Sequence, residues 1–443
     1  MHRPPSGATP APRMHLLGFL MHTPINHMML GWANQDDNRL EAMRDLKLWQ
    51  DLAKTLERGK FDGIFFADVP AVYDMYKGAT DEGVRYGASW PSHDPLALIG
   101  AMVAATEHIG FAPTVSVSSL HPYLLVRSIS TLDYLSRGRM GWNVVTGHAR
   151  SEHRALGLEQ LEHDERYDRA EEYMQICYAL WDGIPPDAII MDRKSGVMAD
   201  PGRIRRVDFE GKYLRCQATP AVFPSPQGRP VIFQAGSSGR GQQFAVDHAD
   251  VIFALQPEPV AMASFVKSVR DRASAIGRND VPVFFGFQPF IGGTEREAIR
   301  QRDELVERIP FEAALSRISG TLGVDLSTLD LDKPLEELQT QASRGLMGVI
   351  SKFLGDANTT IRQAVERTGS TGSIPQLIGT PEQIADRMEM LWRESGCAGF
   401  NVTPPLNPGT LTAFVDEVVP ILQKRGIFRE EYTGRTFKEN LLA

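Results

Sequence analysis

The chain has 443 residues, enough for one large domain or two ordinary ones, and its 42 % hydrophobic and 23 % charged residues are typical of a globular protein. Its net charge of −8 argues against a nucleic-acid partner, because binding to phosphates needs a clustered basic surface. A membrane partner is not expected either, since no apolar run approaches the roughly 18 residues of a membrane span.

The first predicted segment is a disordered tail over residues 1–13, which read MHRPPSGATPAPR. The tail is rich in proline and small residues and lacks the apolar region of a secretory signal. We expect a single domain over residues 14–443. Its cysteines, Cys177, Cys216 and Cys397, lie far apart in the sequence and indicate neither a disulfide framework nor a zinc site. They favour a reduced, cytoplasmic location.

Short apolar runs recur along the chain, separated by segments with helical spacing. Most are apolar at nearly every position, as in parallel strands that are covered on both faces. The runs are residues 14–20, 62–68, 110–118, 139–146, 230–236, 250–256, 282–291 and 399–404. Strands alternating with helices in this number predict an α/β fold, a (β/α)8 TIM barrel. A doubly wound open sheet is the alternative, but no glycine-rich dinucleotide fingerprint follows the first run.

Two stretches exceed a single strand–helix unit and are predicted as insertions into the barrel. Residues 183–229 are rich in loop-forming residues and contain a hairpin pattern in VDFEGKYLR, residues 207–215. Residues 293–380 have mostly helical patterns, with a Gly/Ser/Thr-rich patch in RTGSTGSIP. Because long connections in compact domains tend to be functional, we expect the second insertion to form a lid or an interface.

Polar residues lie at or just after the ends of several predicted strands, where the active site of a TIM barrel is found. They are Asp68, Thr114, Ser116, Ser118, Asn143, Thr146, His148, Gln234, Gly236, Ser237 and Ser238. This ring has many hydrogen-bonding groups and few charges, which suits a polar heterocycle better than a metal ion. The alternative is that these residues only terminate strands and cap helices.

A phosphate site is predicted where QAGSSGRG, residues 234–241, joins a strand to a helix. Glycines let the backbone approach a ligand closely, and the amides of a helix N-terminus point at an anion. In LEHDERYDRAEEY, His163 and Tyr167 are four residues apart and share one helix face, from which both side chains can reach a phosphate. A flexible turn and a surface pair are the alternatives for these two features.

Several other chemistries are disfavoured by missing motifs. The first strand has no His-x-His pair, and the chain contains no HExxH, CxxC or G-x-S-x-G motif. The strand ends WNVVTG and GFNVTP lack the paired carboxylates of a barrel glycosidase. No metal site is therefore predicted, and a metal-dependent barrel hydrolase is a distant alternative.

A resemblance to a known family rests on stretches that are spread over nearly the whole chain from residue 14. They are LERGKFDGIFFADV, VYDMY, DPLALIGAMVAATEHIGFAPTVS, HPY, STLDYLSRGRMGWNVVT, LEHDERYDRAEEY, SPQGRPVIFQAGSSGRG and FVDEVVPILQKRGIFREEY. The chain resembles the flavin-dependent monooxygenases of the bacterial luciferase-like superfamily. Within it, the resemblance is to the subgroup of nitrilotriacetate monooxygenase component A, dibenzothiophene sulfone monooxygenase and long-chain alkane monooxygenase.

The resemblance implies a two-component system in which a separate NAD(P)H:flavin reductase supplies reduced FMN. Molecular oxygen would add to this flavin to give a peroxyflavin. One oxygen atom would then be inserted into a small organic substrate, and the other would leave as water. The cofactor carries the difficult chemistry, while the protein positions it and excludes water. Family habit also implies a homodimer or a homotetramer.

Site residues follow from the resemblance where the motifs match. Near the flavin it places Asp68, Thr114 and Asn143. At the FMN phosphate it places His163, Tyr167, Ser237 and Ser238. In the catalytic, substrate-facing pocket it places His148, Tyr73 and His27, of which His148 is expected to assist proton movements beside the flavin.

The chain departs from the family in its first loop, which usually faces the substrate. Relatives commonly carry a Trp-Arg-His-Pro-like motif where this chain reads MMLGWANQ, residues 28–35. The apolar residues of this loop suggest a hydrophobic or aromatic, xenobiotic-like substrate. Two other functions stay open at this point, namely a deazaflavin-dependent dehydrogenase on the same barrel and a non-catalytic flavin-binding protein.

Overall fold

The computed structural model describes residues 13–25, 27–236, 238–333, 359–368 and 374–442. Its centre is a closed barrel of eight parallel strands. They are β1 (His15–Leu20), β2 (Gly63–Phe66), β3 (Gly110–Ser116), β4 (Gly141–Val145), β5 (Val231–Gln234), β6 (Val251–Ala254), β7 (Val283–Ile291) and β8 (Gly399–Val402). Each strand pairs in parallel with its neighbours in chain order, and β8 pairs with β1 to close the sheet. The predicted TIM barrel is confirmed.

The eight apolar runs of the sequence each contain one barrel strand, because both faces of every strand are covered. Register is continuous around the closure, where Leu17 of β1 lies between Gly63 of β2 and Asn401 of β8. Side chains alternate along each strand. On β8, Phe400 packs in the large cluster of buried residues that joins the barrel strands to the surrounding helices.

The barrel interior is filled mainly by apolar and aromatic side chains. They are Leu17, Phe19, Phe65, Ala112, Val231, Phe233, Val251, Phe253 and Phe284, and Phe437 and Leu441 belong to the same cluster. This packing makes the barrel a solid core with its open space at one end.

Helices surround the barrel. Among the described residues they are Arg39–Ala42, Leu46–Arg58, Asp81–Tyr86, Pro95–Val103, Pro122–Leu135, Arg150–Ala155, His163–Trp181, Gly239–His248, Pro259–Ala275, Glu295–Val306, Phe311–Leu322, Ile361–Thr368, Pro381–Ser395, Gly409–Ala413, Val419–Lys424 and Phe437–Leu442. Short 3-10 turns occur at Gly31–Ala33, Tyr76–Gly78, Pro186–Ala188 and Leu326–Thr328, and a π-turn at Phe414–Val418. Side-chain caps fix several helix starts, as where Thr380 accepts the Gln383 amide at the start of Pro381–Ser395.

The first insertion predicted from the sequence contains two antiparallel hairpins between β4 and β5. The pair Val207–Glu210 and Arg215–Ala218 confirms the hairpin expected near VDFEGKYLR. A second pair, Ile189–Asp192 with Val197–Ala199, was not predicted. Its strands are mostly exposed although nearly all their residues are apolar, so they lack the alternation of apolar and polar residues that marks a half-buried strand.

The second insertion is helical in its described part, as expected. One element differs, since Gln376–Gly379 forms a strand parallel to the Gln288–Ile291 end of β7. The predicted Gly/Ser/Thr-rich patch and most of the tail over residues 1–13 lie outside the described residues. No helix in the described part of the chain is long and apolar enough to cross a membrane.

Candidate active site

A cavity of about 440 Å³ opens at the carboxyl ends of the barrel strands. Five residues predicted from the sequence line it together, namely Asp68, Thr114, Ser116, Asn143 and His148. Its apolar side includes Phe19, Phe65 and Phe253, whose ring centroids lie 5.0 to 5.5 Å apart. Hydrogen-bonding groups and an aromatic surface therefore line the same cavity, a combination that suits a flat heterocycle.

The hydrogen-bonding groups include Thr114 of β3 and Asn143 of β4, which are register partners. The Asn143 Nδ2 donates a 2.8 Å hydrogen bond to the Thr114 Oγ1. Both residues are buried, and the Asn143 Oδ1 has no hydrogen-bond partner among the described residues. A buried acceptor without a partner is costly, so this oxygen is suited to receive an N–H group of a ligand.

Asp68 follows β2 and accepts a 3.2 Å hydrogen bond from Ser92. Burial raises the pKa of Asp68 to about 6, and the negative charges of Asp94 and Glu152 act in the same direction. The carboxyl is thus poised to change its charge near neutral pH.

The segment that is predicted to bind the phosphate follows β5. Ser238 caps the helix Gly239–His248 by accepting the Gly241 amide at 3.0 Å. Tyr167 is buried beside it, and a Cβ at Gly241 would lie 2.6 Å from the Tyr167 hydroxyl. A Cβ at Gly236 would collide with the Gly241 carbonyl. A larger residue would need a shift of the backbone at Gly236 and a shift of the Tyr167 side chain at Gly241.

Burial raises the pKa of Tyr167, which keeps its phenol protonated, although the neighbouring Ser238 opposes this effect. His163 packs beside the Tyr167 ring at 5.3 Å between centroids, with its Nδ1 at 2.7 Å from the Asp164 carboxylate. The structure therefore brings Tyr167, His163 and Ser238 together. Ser237, the other residue predicted to bind the phosphate, lies outside the described residues.

A smaller cavity of about 100 Å³ adjoins the main one, and His148 lines both. Tyr73 lines the smaller cavity, with its ring centroid 6.3 Å from that of His148. Although the His148 side chain is accessible from the cavity, the surrounding protein displaces much of its water. This desolvation lowers the pKa of His148, and the charges of Arg166 and His153 act in the same direction. The imidazole is therefore neutral at neutral pH.

His27, the third predicted catalytic residue, stacks on Phe19 at 4.4 Å between ring centroids. His27 does not line the main cavity, but Phe19, which it contacts, does. Burial lowers the pKa of His27 well below its usual value, with smaller contributions from Arg317 and Arg39. Its backbone is left-handed, with φ 66°. The apolar Met28 and Met29 that follow are buried in small hydrophobic clusters.

Two buried charged residues were not predicted from the sequence. Glu152 is 3 % exposed, lines the main cavity, and its Oε1 has no hydrogen-bond partner in the described part of the chain. Its position soon after β4 is the feature of the sequence that could have indicated a site residue. Arg317 is 6 % exposed and donates a 3.0 Å hydrogen bond to the His27 carbonyl. It comes from the second insertion, and no motif marks it.

Metal ligands are not grouped here. Within the described ranges, no cluster of three or more His, Cys, Asp or Glu side chains is placed to hold a metal ion. The three cysteines are buried and unpaired. The closed barrel and the cavity at its carboxyl ends define an enzyme of the TIM-barrel class.

The comparisons identify the family within this class. A family profile described as luciferase-like monooxygenase matches residues 27–399. The long-chain alkane monooxygenase of Geobacillus thermodenitrificans is 37 % identical over 433 residues, 97 % of this chain and 94 % of that protein. The chain belongs to the luciferase-like monooxygenase family, as its motifs predicted. It is accordingly an oxidoreductase, a flavin-dependent monooxygenase.

Solved structures agree with this assignment. The crystal structure of DmoA from Hyphomicrobium sulfonivorans superposes with a TM-score of 0.89 at 35 % identity, covering 97 % of this chain and 92 % of that one. A riboflavin lyase, solved with modified FMN and riboflavin, superposes with a TM-score of 0.90 at 32 % identity. That pair covers 97 % of this chain and 96 % of the lyase chain.

Proposed function

We propose that the protein is the oxygenase of a two-component system. It would use reduced FMN from a separate NAD(P)H:flavin reductase and molecular oxygen to insert one oxygen atom into a small organic substrate. The observation that carries this proposal is the buried Asn143 Oδ1, an acceptor without a partner in the described chain, in the 440 Å³ cavity that aromatic side chains also line. The monooxygenase names of its relatives support the reaction type.

The residues present fit FMN at both of its ends. For the ring, Asn143 offers an acceptor and Thr114 a hydroxyl, while the aromatic side chains provide apolar contact. For the phosphate, the helix N-terminus at Ser238 and the protonated phenol of Tyr167 offer donors without a full positive charge. His163 beside the phenol is placed to add a further donor.

When bound, reduced FMN would supply the oxygen chemistry. The protein would orient the flavin, exclude water, and hold or transfer protons. His148 stands neutral between the two cavities and can accept or donate one hydrogen bond there. Asp68 can hold a proton near neutral pH at the rim of the same cavity. The aromatic side chains keep the site at low dielectric, which strengthens these polar contacts.

Several finer features belong to the same proposal. The reductase partner, the homodimeric or homotetrameric state and the cytoplasmic location are predictions from the resemblance and from composition. The second insertion lies close to the site, because its Gly320 lines the smaller cavity together with Tyr73. That contact supports a role as a lid, and movement of the insertion stays a prediction.

The deciding experiment is an anaerobic titration of the purified chain with photoreduced FMN and, separately, with oxidised FMN. The bound complex would then be mixed with oxygenated buffer and followed by stopped-flow absorbance. We expect tighter binding of reduced FMN and a transient flavin absorbance before oxidised FMN appears.

Two outcomes would favour the alternative functions. Equal or absent binding of both FMN forms, with binding of a reduced deazaflavin, would favour the dehydrogenase. Binding of reduced FMN followed only by peroxide release, over a broad panel of organic compounds, would favour a non-catalytic flavin-binding protein.

A further inference from the structure

Arg317 is a buried cation that the proposed mechanism does not use. It lies on the helix Phe311–Leu322 of the second insertion, and it is 6 % exposed. Its Nη1 donates one hydrogen bond, to the His27 carbonyl at 3.0 Å. No carboxylate lies within ion-pair distance of it among the described residues. Burial lowers the pKa of Arg317 to about 10, so the guanidinium stays charged at neutral pH.

The charges of the other buried arginines in the described chain are balanced by a carboxylate or by several hydrogen bonds, although the Nε and Nη1 of Arg39 also lack a partner. Arg39 pairs with Asp37 at 3.1 Å, and Arg429 pairs with Asp62. Arg139 has no carboxylate, but its guanidinium donates five hydrogen bonds to carbonyl and hydroxyl oxygens. Arg317 donates only one. A buried charge with few partners is costly, and the remaining N–H groups of Arg317 are available to a ligand.

Arg317 interacts with Tyr73, which is predicted to face the substrate. Gly320, one turn further along the helix, packs directly against the Tyr73 ring, where a Cβ would collide. Burial keeps the pKa of Tyr73 above the usual value, although the charge of Arg317 and hydrogen bonds with Thr321 and Ser89 act in the opposite direction. The phenol is therefore protonated at neutral pH and can donate a hydrogen bond. Tyr73 also lines the smaller cavity that His148 joins to the main one.

We propose that Arg317 and the Tyr73 hydroxyl bind an oxyanion of the organic substrate, a carboxylate or a sulfonate. A guanidinium presents its N–H groups in a planar fork that matches such groups. The substrate is then a small anionic molecule whose charged end lies at the second insertion and whose reacting end lies in the main cavity. This assignment rests on the proposed function, because it names the substrate class of that site.

A purely structural role is the competing explanation. Arg317 holds the carbonyl of His27, whose backbone is left-handed. Such a brace needs one donor, whereas a guanidinium has five. The two explanations differ in ligand selectivity, because a brace gives no preference between an anion and a neutral molecule of the same length.

The test measures probe binding by isothermal titration calorimetry on the full chain, with and without FMN. The probes are hexanoate, hexane-1-sulfonate and the neutral hexanamide. We expect the wild type to bind at least one anion ten- to hundredfold more tightly than hexanamide, because charge-assisted hydrogen bonds are the stronger ones. R317M should abolish this ratio, and R317K should retain part of it. R300M, which removes an arginine exposed on the same insertion, should leave it unchanged.

Equal affinities for anionic and neutral probes in the wild type, or no binding of either anion, would overturn the proposal. So would a ratio that survives R317M. Should R317M fail to fold, the ratio of anion to hexanamide affinity would be measured in R317Q and Y73F instead. A ratio unchanged from the wild type in both variants would also overturn the proposal. Failure of reduced FMN to bind, with the anion preference intact, counts against the proposed function alone.

Discussion

The side-chain amide of Asn143 donates a 2.8 Å hydrogen bond to the hydroxyl of Thr114, across neighbouring barrel strands. This bond fixes the orientation of the amide and turns its oxygen away from Thr114. That oxygen is buried and has no partner in the described part of the chain. The pair thus prepares an acceptor for a ligand before the ligand arrives, which lowers the ordering cost of binding.

Removal of the Thr114 hydroxyl tests whether its hydrogen bond orients the Asn143 amide for the ligand. We expect T114V to weaken the binding of reduced FMN roughly fivefold, about 1 kcal/mol, because Asn143 loses its fixed orientation. Anaerobic absorbance titration measures the affinity. T131V is a matched control, since Thr131 sits on an outer helix where its hydroxyl bonds to the Arg127 carbonyl. Equal FMN affinity in T114V and the wild type would show that this pair does not orient the flavin.

The predicted phosphate site gives a prediction that separates FMN from riboflavin. In Y167F, FMN affinity should fall by about tenfold, since one donor to the phosphate is lost. Riboflavin has no phosphate, so its affinity should change less than about twofold. Fluorescence quenching of each flavin on titration with protein measures both values.

Y173F is the control for this change, because Tyr173 lies on the same helix and its hydroxyl bonds to the Leu120 carbonyl instead. It should leave the FMN to riboflavin ratio as in the wild type. A parallel loss of both flavins in Y167F would mean that the phenol supports the fold of the site and does not contact the phosphate.

Two nearby glycines provide a comparison of backbone fit. A Cβ at Gly236 would meet the backbone of Gly241, which cannot move without opening the turn, whereas Gly239 has no atom within 4 Å of its Cβ position. G236A should therefore lower the free energy of unfolding by about 1–3 kcal/mol. G239A, at the first turn of a helix, should be neutral or slightly stabilising. Urea unfolding followed by circular dichroism measures both, and equal stabilities would contradict the close packing of this turn.

The sequence predicts the barrel because eight runs, each buried on both faces, repeat at the spacing of strand–helix units. The strand Gln376–Gly379 is different. It has four residues, and its partner, Gln288–Ile291, lies in β7, far away in the sequence. A short pairing at such separation leaves no local pattern, so the segment is indistinguishable from the end of the helical insertion.

The site residues also divide into those that a local sequence pattern marks and those that only the tertiary structure brings to the site. Asp68, Thr114, Asn143 and His148 could be predicted because they are polar residues within or shortly after predicted strands, whose carboxyl ends meet at one edge of a barrel. Arg317 could not, because it sits inside a helix whose other residues have an ordinary apolar pattern. Its approach to His27 and Tyr73 depends on how the insertion folds over the barrel, which is a tertiary property.

His148 should affect the fate of the bound flavin more than its affinity. In H148A we expect the affinity for reduced FMN to change less than about twofold, since the phosphate and ring contacts remain. The transient flavin absorbance after mixing with oxygen should decay about a hundredfold faster, the lower end of a typical contribution from general acid–base catalysis. H108A is the control, because His108 stacks on Tyr432 outside the cavity. An unchanged decay rate in H148A would remove this histidine from the proton chemistry.

The raised pKa of Asp68 predicts how the free energy of unfolding of the ligand-free protein depends on pH. This pKa is raised from 3.8 to about 6 by burial, so the folded chain holds this proton over a range in which the unfolded chain has released it. The free energy of unfolding should then fall as pH rises from about 4 to about 6 and stay at its lower value above. The full shift corresponds to about 3 kcal/mol, an upper limit because the carboxyl faces an open cavity.

D68N should remove this part of the pH dependence and make the flavin-free protein more stable than the wild type at pH values above about 6. The asparagine keeps the contact with Ser92 but carries no charge to desolvate. Urea unfolding of both proteins at a series of pH values from about 4 to about 8 gives the two curves. D271N, a change at an exposed carboxylate on an outer helix, should retain the wild-type slope. Parallel curves for D68N and the wild type would mean that Asp68 is ionised in the folded protein throughout, and its role as a proton holder would then be wrong.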